Sequence, residues 1–549
     1  MSLRVFVFLV LILNFIQGVC TPIIDDEAYY WMWSQRLSFG YFDHPPMVAL
    51  WIKLSDMFLK GEIGTRFITI IINVLGAYFY WKIANPITKR ERLIFSLIYF
   101  CIPFIHLFSF ISTPDSPLLF FTILYLYVLK NYLARSTWKW SLLLGICFAG
   151  IMYSKYHGVL VIAFTLIPVL TSLYKKPSFY GAIILSLILY SPHFYWLYEN
   201  NFPPIQYHFI DRSAEEKFTI LHPIIYIGTA IGAFAGLLMF YIIPAIRNYP
   251  TKNPFNRSLY WLVIGPFVFF FISTLKDTTQ AQWLLISYIA LGIILYEYLK
   301  NIKQLKLFYY LAGITAVGLL FVRICIMIPS ISPLYETKHF GEMSGKLAQN
   351  EIVAFEKYQE ASIFQFYNRD KRGVVYRTIG NRNSQFTLWD DENYLAQSFT
   401  YISPWVESLV SFEGLKKKKY FVNVINGYKP IHHSEVIWKD QDEKQIEIKK
   451  GQSIQLKFQL NKLEGKLLLD RNVDVALYLT QEKQYNIVEE IPVSIEHLQN
   501  PYELKSGYVY EIEINPNVEP GEYAIYVGLR SKGLPAKYQS KPIKLVVSE

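Results

Sequence analysis

The stretch LRVFVFLVLILNFIQGVC-TPII-DDEAYYW, residues 3–31, decides the fold of this chain. Its first part is apolar over residues 3–20, and a transmembrane helix needs about 20 mostly apolar residues. No small-x-small cleavage site follows, so we interpret residues 3–20 as an uncleaved first membrane span. Three adjacent carboxylates come directly after it. Crowding of like charges raises the pKa of at least one carboxylate or recruits a cation, and both are typical of functional sites. The sequence therefore predicts a membrane protein with a functional loop after its first span.

Further apolar runs continue this pattern through residue 332, while residues 333–549 have the composition of a soluble protein. The whole chain of 549 residues is 53% hydrophobic and 17% charged, which is low for a soluble protein. The runs predict an α-helical polytopic membrane domain over residues 1–332, with about eleven transmembrane helices. The expected spans are 3–20, 63–81, 93–112, 117–134, 138–153, 157–174, 178–198, 221–246, 258–275, 281–299 and 307–328.

The distribution of charge predicts the orientation. The net charge of +10 comes from residues 1–332, which hold 25 Lys and Arg against 14 Asp and Glu, whereas residues 333–549 hold 28 against 29. Sixteen of those 25 cations fall at the N-terminus and in alternate loops, which the positive-inside rule makes cytoplasmic. Twelve of the 14 acids fall on the other side. We therefore expect a bacterial inner membrane protein with a cytoplasmic N-terminus, a periplasmic C-terminal region, membrane lipids as partners and no nucleic-acid ligand.

The C-terminal region is predicted to contain two domains. Residues 333–440 mix helical and strand patterns, which indicates a periplasmic α/β domain. Residues 441–549 show short alternating strands such as VDVALYLT and EYAIYVGLR, which indicate a β-sandwich. We expect a structural or docking role for it, because no catalytic or metal cluster is present in its strands.

Four outer segments together resemble a known family. They are DEAYYW followed by YFDHPP in the first loop, STPDSPLLFF at 112–121, SKYHGVL at 154–160 and SPHFYWLYENNFPPIQYHF at 191–209. Their order resembles that of the GT-C glycosyltransferases related to protein O-mannosyltransferases and lipid A aminoarabinose transferases. The resemblance implies a GT-C fold and sugar transfer at the periplasmic face of the inner membrane.

The resemblance also implies roles for individual residues. Asp26 would be the general base, Glu27 would support it, and Asp115 matches the family's second outer acid. Asp43 and His44 stand where aminoarabinose transferases have an acid and a lysine. Imidazole is only partly charged near pH 7, so His44 is a weaker phosphate partner than lysine.

The chemistry can also be built from the residues. Nucleotide sugars are not expected outside the cytoplasm, so an outer-face transferase needs a lipid-linked donor, here a polyprenyl-phosphate sugar. Its leaving phosphate is already a stable anion, so a base and cations suffice. Direct displacement by the acceptor would invert the anomeric centre. The candidate donor-phosphate or substrate-binding residues are Asp43, His44, Asp115, Lys155, His157, Arg212 and Lys276.

Several points stay open at this stage. The acceptor is a lipid such as lipid A, a glycan or a protein. Tyr29, Tyr30 and Trp31 are predicted to form an interfacial aromatic belt. No cofactor is certain, and a divalent cation bound by Asp26, Asp43, His44 and Asp115 is one candidate that no ligand spacing demands. The alternative functions are an O-antigen polymerase or ligase, and a flippase or transporter of lipid-linked sugars.

Overall fold

The computed structural model describes residues 1–206, 219–276, 278–378, 381–395, 398–428, 431, 434–439, 445–462, 473–481, 484–493, 508–531, 533–538 and 540–549. The chain divides into two compact units, Met1–Tyr335 and Glu336–Glu549. The first unit is helical, and the second combines an α/β part with a β-rich part. This arrangement confirms the predicted fold class.

The first unit is a bundle of apolar helices. Its α-helices are α1 (Leu3–Cys20), α2 (Asp25–Gln35), α3 (Met47–Phe58), α4 (Gly61–Ala84), α5 (Lys89–Cys101), α6 (Pro103–Phe108), α7 (Asp115–Ala134), α8 (Trp138–Ser154), α9 (Gly158–Leu166), α10 (Pro177–Glu199), α11 (Pro203–Ile205), α12 (Leu221–Ala235), α13 (Ile242–Arg247), α14 (Pro254–Ser273), α15 (Leu285–Lys300) and α16 (Lys306–Met327). Short 3₁₀ segments at Ile167–Ser172, Gly236–Tyr241 and Ala281–Leu284 extend or interrupt them.

The expected count of eleven membrane spans is not confirmed. Among the described residues, seven helices are long and apolar enough to cross a membrane, or eight if the bent pair Leu221–Phe234 and Gly236–Arg247 is one span. The remaining three expected spans are helical but short or interrupted. The span expected at 93–112 is divided between α5 and α6, where Pro103 follows the break, and α9 gives way to a 3₁₀ turn at Pro168. Proline removes a backbone donor and clashes with the preceding turn, which explains these interruptions.

The first loop is itself helical. Two short helices, α2 and α3, fill most of residues 21–62, and α3 packs along α4. Between α2 and α3, Gly40 lies against α10, where an added Cβ would come within 2.2 Å of the Trp196 ring. The loop is therefore fixed onto the bundle by close packing, and the residues it carries have defined positions.

The boundary between the two units falls within α17 (Leu334–Leu347), after its second residue. The second unit continues as an α/β sheet. Its strands run in the order β2-β1-β3-β5-β4, with β1–β2 and β1–β3 parallel. These elements are β1 (Ile352–Phe355), α18 (Tyr358–Tyr367), β2 (Arg372–Val375), α19 (Gln385–Leu388), β3 (Ser398–Ser403), β4 (Ser411–Glu413) and β5 (Lys419–Asn426).

Two further sheets complete this unit. One has the order β10-β9-β12-β14-β7 with β13 on β12, and the other has the order β11-β8-β6. The strands are β6 (Ser434–Lys439), β7 (Gln445–Lys449), β8 (Ile454–Lys462), β9 (Val473–Gln481), β10 (Gln484–Pro492), β11 (Tyr508–Ile514), β12 (Gly521–Ser531), β13 (Lys537–Tyr538) and β14 (Ile543–Ser548). Side chains from both sheets, such as Phe458 of β8 and Leu477 of β9, share one apolar core. This sandwich-like packing buries the alternating apolar positions seen in the sequence.

Candidate active site

The centre of the candidate site is a buried ion pair between Glu27 in the first turn of α2 and Arg66 in α4. Arg66 Nε donates to Glu27 Oε1 at 2.8 Å and Nη2 donates to Oε2 at 2.5 Å, and both side chains are 0% exposed. The other guanidinium N–H groups bind the carbonyl oxygens of Gly18, Thr21 and Pro22. A helix end leaves such carbonyls without intrahelical partners. Arg66 therefore fixes the end of α1 and the start of α2 together.

Glu27 also binds the segment that precedes α7. Its Oε1 accepts the backbone N–H of Ser112 at 2.8 Å, and its Oε2 accepts the N–H of Ile24 at 3.4 Å. Ser112 lies three residues before Asp115, the first residue of α7. This contact brings the segment that carries Asp115 to the segment that carries Asp26.

Asp115 forms a second buried ion pair with Lys155, which ends α8. Lys155 Nζ donates to both carboxylate oxygens of Asp115 at 2.9 Å, and both side chains are buried. The pair joins two segments separated by 40 residues in the chain. A lysine and a carboxylate placed after different apolar runs are thus direct partners.

A third group of contacts connects the first loop with the segment after Lys155. Tyr29 donates its hydroxyl hydrogen to Asp43 Oδ2 at 2.9 Å. His193 of α10 lies 2.6 Å (Nδ1) from the Phe39 carbonyl oxygen and 3.2 Å (Nε2) from the Tyr156 hydroxyl. The carbonyl can only accept, so Nδ1 carries the proton and Nε2 accepts from Tyr156. Burial raises the pKa of Tyr156, and the nearby Tyr190 and Asp43 raise it further, so its hydroxyl stays protonated.

Asp26, like its neighbour Asp25, differs from the buried carboxylates at this end of the bundle. Its side chain is exposed, while Glu27, Asp43 and Asp115 are buried. Its backbone N–H is bonded to Asp25 Oδ1 at 3.0 Å within the first turn of α2. Acids are favourable there because a helix N-terminus carries partial positive charge. The first turn of α2 therefore presents two accessible carboxylates, Asp25 and Asp26, beside the buried ion pairs, an arrangement that can accept a proton next to a cation.

Comparisons with known proteins find similarity to glycosyltransferases. Residues 43–196 match the family model described as dolichyl-phosphate-mannose-protein mannosyltransferase. The chain is 24% identical over 322 residues to the lipid A galacturonosyltransferase RgtD of Rhizobium johnstonii, covering 56% of this chain and 67% of the relative. The chain is therefore similar to membrane glycosyltransferases of the GT-C class.

Solved structures share the fold of this transferase. The apo crystal structure of ArnT from Cupriavidus metallidurans superposes with a TM-score of 0.58 at 12% identity, covering 77% of this chain and 97% of that chain. The same protein bound to undecaprenyl phosphate superposes with a TM-score of 0.57 at 14% identity, covering 78% and 99%. The transferase therefore has the ArnT-like fold, as its sequence predicted.

The structure gives the surroundings of three of the other predicted site residues. His157 precedes α9, and its ring lies 4.9 Å from that of Trp283 and 5.5 Å from that of Phe270. His44 is half-buried with its ring 6.2 Å from that of Tyr30. Lys276 is exposed after α14. Arg212 lies outside the described residues.

The predicted aromatic belt is wrong for Tyr29, Tyr30 and Trp31. All three rings are buried inside the protein. They lie on α2, which packs against α3, and Tyr29 and Tyr30 also contact the ring of Trp33. These rings hold the first loop in place by internal packing, not by contact with the membrane surface.

The predicted candidate for a divalent cation site was also compared with the structure. Among the described residues, no group of three or more His, Cys, Asp and Glu side chains could hold a metal ion. Lys155 already binds both oxygens of Asp115, one of the proposed ligands. The residues present fit a site of ion pairs better than a metal centre.

Three residues of this site were not singled out from the sequence. Arg66 is a charge inside an apolar run, a pattern that marks a functional residue in membrane proteins and could have identified it. His193 is likewise a titratable residue in an apolar span. Tyr156 carries no such signal, because tyrosine is common at the ends of membrane helices.

Proposed function

We propose that the chain is an inverting transferase that moves a sugar from a polyprenyl-phosphate donor to a lipid acceptor of the lipid A type, with Asp26 as general base. The name of the galacturonosyltransferase relative supports the acceptor, and the undecaprenyl phosphate in the ArnT structure supports the lipid-phosphate donor. The reaction would take place on the periplasmic face of a bacterial inner membrane, in agreement with the distribution of Lys and Arg along the first 332 residues.

The observation that supports this proposal is the exposure of Asp26 on a helix turn that its neighbours hold in place. Glu27 is bound by Arg66, Asp115 by Lys155 and Asp43 by Tyr29. Asp26 is exposed and lies next to Glu27, whose contacts fix the backbone of that turn. A base must reach the acceptor hydroxyl within hydrogen-bond distance, and an exposed carboxylate on a fixed helix turn meets that condition.

Lys155 is the proposed partner of the departing phosphate. Its ammonium group has three N–H donors, and Asp115 accepts from it at two oxygens. Among the contacts of the described residues, one N–H of Lys155 is left for a phosphate oxygen, and Asp115 holds the ammonium group in place before the sugar donor binds. His157, His44, Lys276 and Arg212 are further candidates for contacts to the phosphate.

During transfer, the acceptor oxygen attacks the anomeric carbon as its proton passes to Asp26. The bond from the anomeric carbon to the phosphate oxygen breaks, and its electron pair leaves with the lipid phosphate. Cations that stabilise charge developing on the phosphate lower the barrier to this step. A single displacement of this kind inverts the anomeric configuration.

The test uses the purified full-length chain in detergent with undecaprenyl-phosphate-linked sugars and lipid A, followed by mass spectrometry of the product. Galacturonic acid, aminoarabinose and mannose are compared as the donor sugar. Asp26→Asn is expected to lower turnover about 10²- to 10⁴-fold. Asp25→Asn, a neighbouring exposed carboxylate in the same helix turn, is the matched control and is expected to remain active.

Three results would contradict the proposal. Near-normal turnover of Asp26→Asn would show that another group is the base, and a product with retained anomeric configuration would exclude single displacement. An alkaline phosphatase fused after residue 549 is expected to be active only in the periplasm, so an inactive, stable fusion would contradict the proposed orientation.

A further inference from the structure

A loop of the second unit exposes large apolar side chains on a backbone that is held in place. The loop spans residues 404–410 and joins β3 to β4. The side chain of Trp405 is 67% exposed, and that of Leu409 is fully exposed. The loop is nevertheless bonded to β5, because Ser408 Oγ donates to the Val422 carbonyl oxygen at 2.8 Å. Large apolar side chains exposed together in this way mark a surface that binds another molecule or a membrane.

Four consecutive lysines, residues 416–419, lie beside this loop. All four are exposed, and Lys418 Nζ lies 5.6 Å from the centre of the Trp405 ring. Among the described residues, none of the four forms an ion pair with a carboxylate. Residues 404–419 hold four Lys against two Glu, whereas residues 333–549 as a whole hold 28 Lys and Arg against 29 Asp and Glu. Positive charge is therefore concentrated next to the exposed apolar side chains.

Two of these lysines occupy a turn that other residues would fit better. Lys416 and Lys417 have φ angles of 54° and 55°, and the Lys418 N–H closes the turn by donating to the Leu415 carbonyl oxygen at 3.1 Å. Positive φ at both central residues is the pattern of a type I′ turn, in which asparagine and glycine are preferred. Left-handed backbone is unfavourable for lysine. The presence of lysine at both positions therefore points to a role for the charge and not for the turn.

The lysine turn is bonded to the residue at which the second unit begins. Glu336 is the first residue of that unit, and its Oε2 accepts the Lys416 N–H at 2.9 Å. Glu336 follows Met327, the last residue of α16, by nine positions, and α16 is long and apolar enough to cross a membrane. Nine residues of extended chain span at most about 30 Å. The length of the connecting chain thus keeps the lysine turn near the end of a membrane helix.

We propose that residues 404–410 and 415–419 form a docking surface for the anionic phospholipid headgroups of the bilayer that the first unit spans. Such a bilayer offers an apolar layer for Trp405 and Leu409 and negative charge for the lysines. Tryptophan is enriched at the boundary between membrane and water, and each lysine near an anionic surface strengthens binding about fivefold. The inference stands on this surface and on the membrane helices, and it does not depend on Asp26 being the base.

The experiment is hydrogen–deuterium exchange, read by mass spectrometry, of the full-length chain in nanodiscs of phosphatidylcholine alone or mixed with phosphatidylglycerol. Amide exchange in residues 404–419 is expected to slow at least about fivefold when phosphatidylglycerol is present, because the segment then exchanges only from its unbound fraction. Raising the salt concentration from 0.1 M to 1 M shortens the Debye length from about 10 Å to about 3 Å. High salt is therefore expected to remove most of this slowing.

Two double variants supply the decisive comparison. Lys416→Asn/Lys417→Gly removes two charges and gives the turn the residues that positive φ favours. Its Tm is expected to equal or exceed that of the wild type, while its binding to phosphatidylglycerol weakens about 25-fold and most of the slowing is lost. Lys449→Gln/Lys450→Gln removes two exposed lysines at another turn of the same unit. This control is expected to keep the response to phosphatidylglycerol.

Several outcomes would overturn the proposal. Equal exchange of residues 404–419 in the two kinds of nanodisc would show that this surface does not bind anionic lipid. Equally slow exchange in lipid-free detergent would mean that the chain itself covers the surface, and slowing by added lipid A but not by phosphatidylglycerol would make it an acceptor-binding surface. A full response of Lys416→Asn/Lys417→Gly would exclude the lysines as its cause. Should that variant fail to fold, the lipid and salt comparisons on the wild-type chain still decide.

Discussion

The Glu27–Arg66 pair offers the sharpest test of how the candidate site is held together. Glu27→Gln keeps the shape of the side chain and removes its charge. The amide can still accept one hydrogen bond from Arg66, but its NH₂ group then faces a guanidinium donor or the N–H of Ser112. Arg66 would be left as a fully buried cation without a counter-ion.

The expected magnitude follows from this geometry. Both side chains are 0% exposed, so water cannot replace the lost partner. Removing one member of a buried ion pair typically costs about 3 to 5 kcal/mol, because the remaining charge stays desolvated. For a unit of this size such a loss lowers Tm by roughly 4 to 7 °C.

The assay is thermal unfolding of the purified chain, with Asp25→Asn as the control for loss of an exposed carboxylate. The double variant Glu27→Gln/Arg66→Gln is expected to be less destabilised than the sum of its two single variants, by roughly 0.5 to 3 kcal/mol, because no unpaired charge remains. If Glu27→Gln unfolds within about 1 °C of the wild type, or if the two single effects simply add, the pair does not hold the site as argued.

Two further predictions concern the second ion pair and the soluble unit. Lys155→Met is expected to lower kcat/KM about 10²-fold by removing the phosphate partner. Asp115→Asn keeps the cation, so its loss of kcat/KM is expected to be smaller. Equal losses in kinetic assays of the two variants would contradict a phosphate role for Lys155. Burial raises the pKa of Glu360 in the second unit from 4.5 to about 7, with nearby Glu356 adding to the shift. Between pH 4.5 and 7 the folded state therefore holds a proton on Glu360 that the unfolded state releases. The contribution of Glu360 to the free energy of unfolding is most favourable below pH 4.5 and falls by about 3 kcal/mol as the pH rises to 7. Glu360→Gln is expected to remove this slope in unfolding curves at pH 5 and pH 8, and an unchanged slope would show that Glu360 is not its source.

The sequence by itself determined the elements that depend on composition and period. The apolar runs of the first 332 residues predicted helices, because a long run without charge is stable only in lipid or in a core. The alternation in VDVALYLT and EYAIYVGLR predicted β9 and β12, since a strand with one buried face needs a period of two. Four outer motifs in order, among them DEAYYW and SKYHGVL, carried the resemblance to the GT-C glycosyltransferases.

The same local signals could not give the number of crossings or the surroundings of the aromatic residues. Pro103 and Pro168 interrupt helices at places where the hydropathy pattern is continuous. Tyr29 and Tyr30 match the composition of a membrane-surface belt, yet their rings are buried because α2 packs into the bundle. Local composition does not distinguish a lipid surface from a protein interior, since both favour large aromatic rings.

Only the tertiary structure decided which charges are partners. Glu27 and Arg66 are 39 residues apart in the chain, Asp115 and Lys155 are 40 apart, and Arg323 reaches α1 across more than 300 residues. A sequence shows that such charges are costly in an apolar setting but not how each cost is met. Among the described residues, the packing of helices brings an anion to Arg66, a cation to Asp115 and neutral acceptors to Arg323.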